Sequence, residues 1–432
     1  MSVAQQDGTK AGNQISYDDL YKRWEAGNWS ATTIDFSEDR NGWEALTEMQ
    51  RKSALWIYSM FFYGEDSVTD NLSPYIDAAP REEQKYFLAT QQVDEARHAV
   101  FFHRFFKEVI GAGDSIASTL AYTEQFHNWG YRNIFERLDR MADELRRDRS
   151  LPKFAQAIAL YQLVAEATLE KQGKHFIEDY FAKSETMPGF SEGMVNVSRD
   201  EQRHIGFGVK VLSELVAESD ECKQAIRELL LEVLPYSQAV FTPPDFDREY
   251  TRCYGFELEE IYEFGLRSVR TKWNAIGYPM EEMQGVLPID PELTAAEFSK
   301  RQIKLLEAGV LGAPGLRKPD ASPEVQGLFF DLIARSADTE ARDRPLTIQW
   351  RFSDADPYHV VVANGSTHAA PGTVEKPDLT WETSWEDWIA VTQGTLDPRK
   401  AMLSRRLRFH GSPLKLRAFT KTFPSRRARA IE

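Results

Sequence analysis

The sequence predicts a multidomain protein in which an all-α helical bundle is followed by a smaller α+β domain. Up to about residue 275, apolar side chains recur at helical spacing in several long stretches. Proline then becomes frequent, and beyond it apolar and polar residues alternate in Leu346–Phe352, as in a half-buried strand. With 432 residues, of which 42% are hydrophobic, the chain is long enough for two or three domains.

The helical part is expected to follow a disordered, polar N-terminus at residues 1–16. Residues 17–43 carry several tryptophans without clear periodicity, and we expect them to wrap around a bundle. A first long helix is predicted from Trp43 to about Asp70. A second is predicted from Pro80 to Gly111, with Val93 among its inward-facing residues.

Five further helices are predicted before the composition changes. Each has apolar residues at helical spacing, and two of them open at a proline. Their approximate bounds are 116–149, 152–182, a helix starting at Pro188, 220–234 and 247–273.

A five-residue motif occurs twice in this helical part. Residues 94–98 read Asp-Glu-Ala-Arg-His and residues 200–204 read Asp-Glu-Gln-Arg-His. Residues three apart lie on one face of a helix, so each motif can present a glutamate and a histidine to one point. A single such pair is typical of a solvated surface. Two copies that share Asp at the first place and Arg at the fourth indicate a metal site.

Two such motifs, plus one inward-facing Glu from each of two other helices, form the ligand set of ferritin-like dimetal bundles. Glu65 and Glu166 are the candidates for the remaining ligands, because they precede the glutamates of the two motifs by 30 and 35 residues. Carboxylate oxygens with one imidazole per metal suit a dinuclear Mn/Fe or Fe/Fe centre, whereas structural zinc would favour Cys. The predicted metal ligands are Glu65, Glu95, His98, Glu166, Glu201 and His204.

The rest of the chain divides into three predicted regions. The dimetal domain is predicted to cover residues 17–285, and a Pro-rich linker with one helix near 294–308 covers 286–321. The α+β domain covers 322–424, and a basic tail comes last at 425–432. The α+β domain is predicted to contain a hairpin of Leu346–Phe352 with residues 359–363, a strand at 378–383, short helices at 385–393 and 398–403, a strand at 407–410 and a terminal helix at 413–423.

Charge and composition exclude several classes of function. The net charge is −15, and we expect no basic face apart from the arginines at 426–429, so nucleic acid is not an expected partner. No run of about eighteen apolar residues occurs, which predicts no membrane span. Two cysteines imply no disulfide framework, and the N-terminus lacks the apolar run of a signal peptide, so we expect a cytoplasmic protein.

Residues 17–275 resemble the ribonucleotide reductase small subunit superfamily, and within it the ligand-binding oxidases with a mixed manganese and iron pair. The resemblance implies the same six ligands, O2 as a reactant and a long-chain fatty acid or similar apolar ligand. We also expect a homodimer. These oxidases form a tyrosine–valine ether cross-link beside the metals, and the matching positions here are Val68 and Tyr161. Radical-bearing small subunits carry a Tyr where this chain has Phe102, and the short C-terminal tail that docks on their large subunit is absent here, so nucleotide reduction is not expected.

Residues 322–424 resemble the sterol-carrier-protein type 2 fold, which encloses an apolar tunnel for fatty acyl chains or sterols. The residues that carry this resemblance lie at 377–380, 385–388, 394–398 and 408–411. A domain of this fold also serves as a scaffold or dimerisation module.

The leading hypothesis is therefore an O2-activating dimetal oxidase acting on a fatty acyl or other apolar substrate. One alternative is a di-iron desaturase or N-oxygenase with a different substrate, for which the same six ligands would serve. The other is a non-catalytic lipid-binding or sensing protein whose metal site reacts once with itself. Repeated turnover distinguishes the two enzymes from the third possibility.

Overall fold

The structure, a computed structural model, describes residues 15–170, 186–279, 282, 290, 292–339 and 344–423, with the side chains of 168–170 excepted. The predicted disordered N-terminus lies almost wholly outside the described residues, and the predicted basic tail lies wholly outside them. The α-helices and the strands are each numbered in chain order.

The first part of the chain is a helical bundle around one continuous apolar core. Its helices up to residue 170 are α1 Tyr17–Ala26, α2 Asp39–Ala45, α3 Glu48–Asn71, α4 Ser73–Ala78, α5 Glu82–Phe105, α6 Ile116–Thr123, α7 Trp129–Arg147 and α8 Leu151–Ile158. The later ones are α9 Pro188–Glu218, α10 Asp220–Ser237, α11 Glu249–Arg252 and α12 Leu258–Ala275.

Local sequence explains where several of these helices begin and end. Thr47 caps α3 in a capping box with Gln50, and Pro188 occupies the first turn of α9. The helix α5 continues as a π-helical turn, Phe106–Ile110, and stops at Gly111, whose left-handed backbone ends it. A longer π-helical segment, Ala159–Glu170, continues α8. Such segments are frequent at functional sites.

Over the described residues the predicted helices are present, with several differences. The single helix expected at 116–149 is broken, because Asn128 accepts a hydrogen bond from the backbone N–H of Tyr131 and starts α7 afresh. The helix expected at 247–273 is also two helices, α11 and α12, and residues 171–182 of the helix expected at 152–182 lie outside the described residues. The helices α1, α2 and α4 were not predicted. Val93, expected to face inward, is 52% exposed.

The second part is a five-stranded sheet with helices against it. Its elements are α14 Pro323–Arg335, β1 Leu346–Phe352, β2 Tyr358–Ala363, β3 Ser366–Pro371, β4 Leu379–Thr383, α15 Trp385–Thr392, α16 Pro398–Leu403, β5 Arg408–Gly411 and α17 Pro413–Thr422. The strand order is β3-β2-β1-β4-β5, and the pair β1–β4 is parallel. The predicted hairpin of β1 and β2 is confirmed. The strand β3 and the helix α14 were not predicted.

One helix of the expected linker belongs to both cores. The helix α13, Ala295–Glu307, lies where one helix near 294–308 was predicted. Its Ile303 and Leu306 join the core of the bundle, while Phe298 and Leu305 join the core beneath the sheet. The two parts of the chain therefore share this helix as a packed connection. Among the described helices, none is long and apolar enough to cross a membrane.

Candidate metal centre

The six predicted metal ligands meet inside the bundle. Glu65 lies on α3, and Glu95 and His98 lie on α5. Glu166 lies on the π-helical segment 159–170, and Glu201 and His204 lie on α9. All six side chains are buried, with at most 5% exposure. Four elements thus bring the four carboxylates and two imidazoles to one place, as the spacing of the motifs predicts.

Two glycines of α9 allow this close approach. A Cβ at Gly193 would lie 2.0 Å from Cε2 of Phe101 on α5. A Cβ at Gly208 would lie 2.3 Å from Cβ of Gln162 on the π-helical segment. The helix that carries the second motif is therefore packed against both neighbours more closely than any larger residue permits.

The first half of the site surrounds Nδ1 of His98. This atom lies 3.2 Å from Oε2 of Glu65, 3.4 Å from Oε2 of Glu95 and 3.3 Å from Oε1 of Glu201. One donor atom from each of these four residues lies within 4.8 Å of the others. These distances leave a position that a single cation could share among them.

The second half surrounds Nδ1 of His204. This atom lies 3.2 Å from Oε1 of Glu95, 3.4 Å from Oε2 of Glu201 and 3.8 Å from Oε1 of Glu166. Glu95 and Glu201 therefore turn one oxygen towards each histidine. The geometry is that of two adjacent positions that share two carboxylates, and Glu65 and Glu166 each serve one position.

The charges of the site fit a pair of cations. Burial raises the pKa of Glu65 to about 8 and raises the pKa of Glu166 well above its ordinary value. Among the described residues, Oε1 of Glu65 and Oε2 of Glu166 have no hydrogen-bond donor. Buried carboxylates in this number are stable together only with protons or cations. Hard oxygen ligands with one imidazole for each position suit Mn/Fe or Fe/Fe.

An aspartate holds the outer nitrogen of each histidine. Nε2 of His98 lies 3.2 Å from Oδ2 of Asp200, and Nε2 of His204 lies 3.1 Å from Oδ2 of Asp94. Each aspartate precedes a glutamate of one motif and contacts the histidine of the other. With Nε2–H donating to the aspartate, Nδ1 is left free to bind a metal. The two aspartates are therefore placed to orient the imidazoles.

The residues around these aspartates were largely missed from the sequence. Arg203 donates to both Asp94 and Asp200. The indole N–H of Trp24 donates to Asp94 at 3.0 Å, and that of Trp29 donates to Asp200 at 2.7 Å. The shared Arg of the two motifs was a usable signal. The tryptophans gave none, because they lie far away in sequence without periodicity.

A second polar group connects Tyr161 with the site. The hydroxyl of Tyr161 donates to Oε1 of Glu95 at 2.6 Å. Nε2 of Gln91 lies 2.7 Å from Oε1 of Glu166 and 3.1 Å from the Tyr161 hydroxyl oxygen. Gln91 lies one helical turn before Glu95 on the same face, a signal that sequence reasoning could have used.

A cavity opens beside the glutamates. Its lining includes Glu65, Glu95 and Glu166, together with Val68 and Tyr161. Most of the remaining lining is apolar or aromatic, and the hydroxyl of Tyr131 within it donates to the carbonyl of Met60. The remaining lining residues are Ile57, Phe61, Gly64, Phe135, Ala165, Val240 and Phe241.

Residues 13–242, which are 230 of the 432 residues, match the family described as "Ribonucleotide reductase, small chain". The chain belongs to the ribonucleotide reductase small-chain family. Membership of this family confirms the expected class of enzyme, a dimetal-carboxylate oxidoreductase, and the ferritin-like character of the helical part.

Solved structures show the same fold for the helical part. An "R2-like ligand-binding oxidase" valine-to-leucine mutant with a Mn/Fe cofactor is 23% identical, with a TM-score of 0.53, and the match covers 63% of this chain and 98% of that one. The oxidase of this name from Sulfolobus acidocaldarius is 22% identical over 68% of this chain and 98% of its own, with a TM-score of 0.50. A glycine-to-leucine mutant of an "R2-like ligand-binding oxidase" with an Fe/Fe cofactor is 23% identical, with a TM-score of 0.53. The match covers 63% of this chain and 99% of that one.

Residues 326–427 match a different family, described as "Alkyl sulfatase C-terminal". The expected α+β fold of this part is confirmed by its sheet and helices. Its resemblance to the sterol-carrier fold is not confirmed. The predicted homodimer, the cytoplasmic location and the absence of a nucleic-acid partner remain predictions.

Proposed function

We propose that this chain is an O2-activating dinuclear metal oxidase acting on a fatty acyl or other apolar substrate. The observation that supports this most strongly is that three of the clustered carboxylates, those of Glu65, Glu95 and Glu166, line a largely apolar cavity. A ligand site that opens on an apolar cavity suits chemistry on a substrate that has few polar groups.

In this proposal Glu65, Glu95, His98 and Glu201 would hold one metal. Glu166 and His204 would hold the other, together with oxygens of Glu95 and Glu201. When bound, the metal pair supplies the reduction of O2 and the abstraction of hydrogen from an unactivated carbon. Asp94 and Asp200 keep the imidazoles oriented, because each accepts the outer N–H of a histidine.

The cavity has two tasks in this mechanism. Its apolar and aromatic wall excludes water and holds the substrate chain by burial of apolar surface. The carboxylates of Glu65, Glu95 and Glu166 in its lining would place the metals next to the reacting carbon. Tyr161 also lines the cavity, and its hydroxyl donates a hydrogen bond to Glu95.

We further propose that Tyr161 and Val68 become covalently joined. Both line the cavity, as do Glu65, Glu95 and Glu166. The phenol of Tyr161 and Cβ of Val68 would each lose one hydrogen, with O2 as the oxidant, and an ether bond would join the phenolic oxygen to Cβ.

Peptide mass spectrometry tests the cross-link. After metal loading and exposure to air, the tryptic fragments that contain Val68 and Tyr161 are expected as one species, two hydrogens lighter than their sum. Tyr161→Phe should abolish this species and keep the metal content, whereas Tyr75→Phe, a buried neighbour whose ring lies 5.9 Å from that of Tyr161, should retain it. Separate fragments after full loading would favour an oxygenase that acts only on an external substrate.

For the second domain we propose a bound apolar ligand that carries a hydrogen-bond acceptor. Three buried indoles, of Trp350, Trp381 and Trp388, meet around Phe419. Among the described residues, none of the three indole N–H groups has an acceptor. A buried donor without a partner costs about 1–3 kcal/mol, so an acceptor on a ligand would stabilise this arrangement.

Displacement of a fluorescent fatty acid from the full chain tests this second proposal. Trp388→Phe removes the indole N–H and keeps an aromatic ring at this position, so it should weaken binding by about tenfold, the factor that corresponds to one hydrogen bond. Tyr86→Phe, a change at an exposed ring of the other domain, is the control. If the wild type does not bind the probe at this domain, the domain would have only a scaffold role.

A further inference from the structure

The end of the second domain has a charge opposite to that of the whole protein. The formal net charge of the chain is −15, yet the sequence from residue 398 to residue 431 contains no Asp or Glu. The described part of this segment, 398–423, carries the basic residues Arg399, Lys400, Arg405, Arg406, Arg408, Lys415, Arg417 and Lys421. The expectation that basic residues would be confined to the last few positions is therefore wrong.

These residues form one structural unit, which we call the basic edge. It comprises α16, the edge strand β5 and α17, residues 398–422, at the end of the sheet beside β4. Arg406 pairs with Asp387, and Lys415 pairs with Asp378. The other six basic side chains are exposed and have no carboxylate partner within the described part of the chain: Arg399, Lys400, Arg405, Arg408, Arg417 and Lys421.

The basic edge also exposes leucine to solvent. Leu403 at the end of α16 is 86% exposed, and Leu414 at the start of α17 is 78% exposed. These are the two highest values among the large apolar side chains that the structure describes. They lie on either side of β5 in the chain. A fully exposed leucine gains nothing from folding, so its position next to unpaired cations points to a partner that is both anionic and apolar.

We propose that the basic edge binds the surface of an anionic lipid membrane. A bilayer offers negative headgroups to the cations and hydrocarbon to the two leucines, within a few ångströms of each other. Nucleic acid would explain the basic residues but not the two leucines, because its phosphate backbone offers no apolar surface for them to contact. This mode of binding needs no membrane-spanning helix. It also does not depend on the oxidase proposal.

Vesicle co-sedimentation of the full-length, metal-loaded protein tests this proposal. The probes are vesicles of phosphatidylcholine alone and vesicles with about a third of phosphatidylserine. We expect binding to the anionic vesicles, loss of binding as salt rises to about 0.5 M, and little binding to the neutral ones.

Two sets of substitutions separate the two contributions. Each basic residue near an anionic surface strengthens binding about fivefold, so the triple variant Lys400→Gln, Arg417→Gln, Lys421→Gln should lose roughly a hundredfold. The double variant Leu403→Ser, Leu414→Ser should lose about tenfold for each leucine. The matched control is Leu316→Ser with Lys318→Gln, an exposed leucine and an exposed lysine outside the basic edge, which should bind as the wild type does.

Three outcomes would overturn the proposal. One is absence of binding to anionic vesicles at low salt, and another is equal binding by the wild type and the triple variant. The third is tight binding to a DNA duplex without binding to vesicles, which would assign the basic edge to nucleic acid. Metal content and circular dichroism of each variant show that folding is unchanged, so a loss of vesicle binding is separable from a failure of the metal site.

Discussion

Replacement of Glu65 by Gln is expected to stabilise the metal-free protein while it weakens metal binding. Glu65 is 5% exposed, and burial raises its pKa to about 8. In the folded, metal-free state this carboxyl therefore resists ionisation. Gln has nearly the same size as Glu and carries no charge, so Glu65→Gln removes the cost of burying an ionised carboxylate without leaving a cavity.

The magnitude comes from the difference in pKa between the unfolded and folded states. A carboxyl whose folded pKa is raised contributes stability below its unfolded pKa, and that stability is lost as the pH rises towards the folded value. Between an ordinary pKa of 4.5 and about 8, the loss at pH 8 is about 4 kcal/mol. The variant gives up the contact with His98 at 3.2 Å, worth about 1 kcal/mol. We therefore expect a net gain of roughly 3 kcal/mol at pH 8.

Urea unfolding after removal of metal with a chelator measures this effect. The gain should be largest at pH 8 and should vanish below pH 4.5, where Glu65 is protonated in both states. Glu48→Gln, on the same helix but exposed beside Lys52, is the control and should change stability by less than about 0.5 kcal/mol. Equal stability of wild type and Glu65→Gln at pH 8 would refute the view that burial of the ionised Glu65 carboxylate destabilises the metal-free protein.

Three further predictions concern the bundle. Gly208→Ala should destabilise the folded protein by about 1–3 kcal/mol, because the new Cβ would lie 2.3 Å from Gln162. The control Gly206→Ala, whose Cβ would lie 3.8 Å from Leu20, should leave stability unchanged, and thermal unfolding measures both. Burial lowers the pKa of His127 to about 4. The neutral imidazole therefore contributes about 3 kcal/mol of stability above pH 6.5, and this is lost as the pH falls towards 4. In urea unfolding, His127→Gln should lose less stability than the wild type over this pH range. Asp200→Asn should weaken metal affinity about 10–100-fold in a chelator competition.

The metal site could be predicted from the sequence because helical spacing carries most of its geometry. A glutamate and a histidine three residues apart share a face whatever the surroundings, so each motif defined half a site by itself. Glu65 and Glu166 could be chosen from their distance to these motifs. Trp24 and Trp29 could not be found in this way, because their contacts with Asp94 and Asp200 depend on how the N-terminal segment crosses the bundle.

The fold was predictable where periodicity is long and regular. The strand β1 alternates and β2 contains a run of valines, but β3 reads Ser-Thr-His-Ala-Ala-Pro and has no apolar face to reveal it. By composition Pro323 belongs to the proline-rich stretch, although it occupies the first turn of α14. The expected linker is also a packed element, since α13 contributes to both cores. Such packing depends on contacts far apart in sequence, which local patterns do not record.

Elemental analysis of metal content tests the central claim most directly. Wild-type protein supplied with iron and manganese should hold two transition metals per chain. Glu65→Ala, which affects one position, should retain about one. Glu95→Ala and Glu201→Ala should lose much of both, because each removes an oxygen from the two positions at once. The exposed Glu192 on α9 is the control, and Glu192→Ala should keep two. Fewer than one metal per chain in the wild type, or two in Glu201→Ala, would contradict a dinuclear centre bridged by these carboxylates.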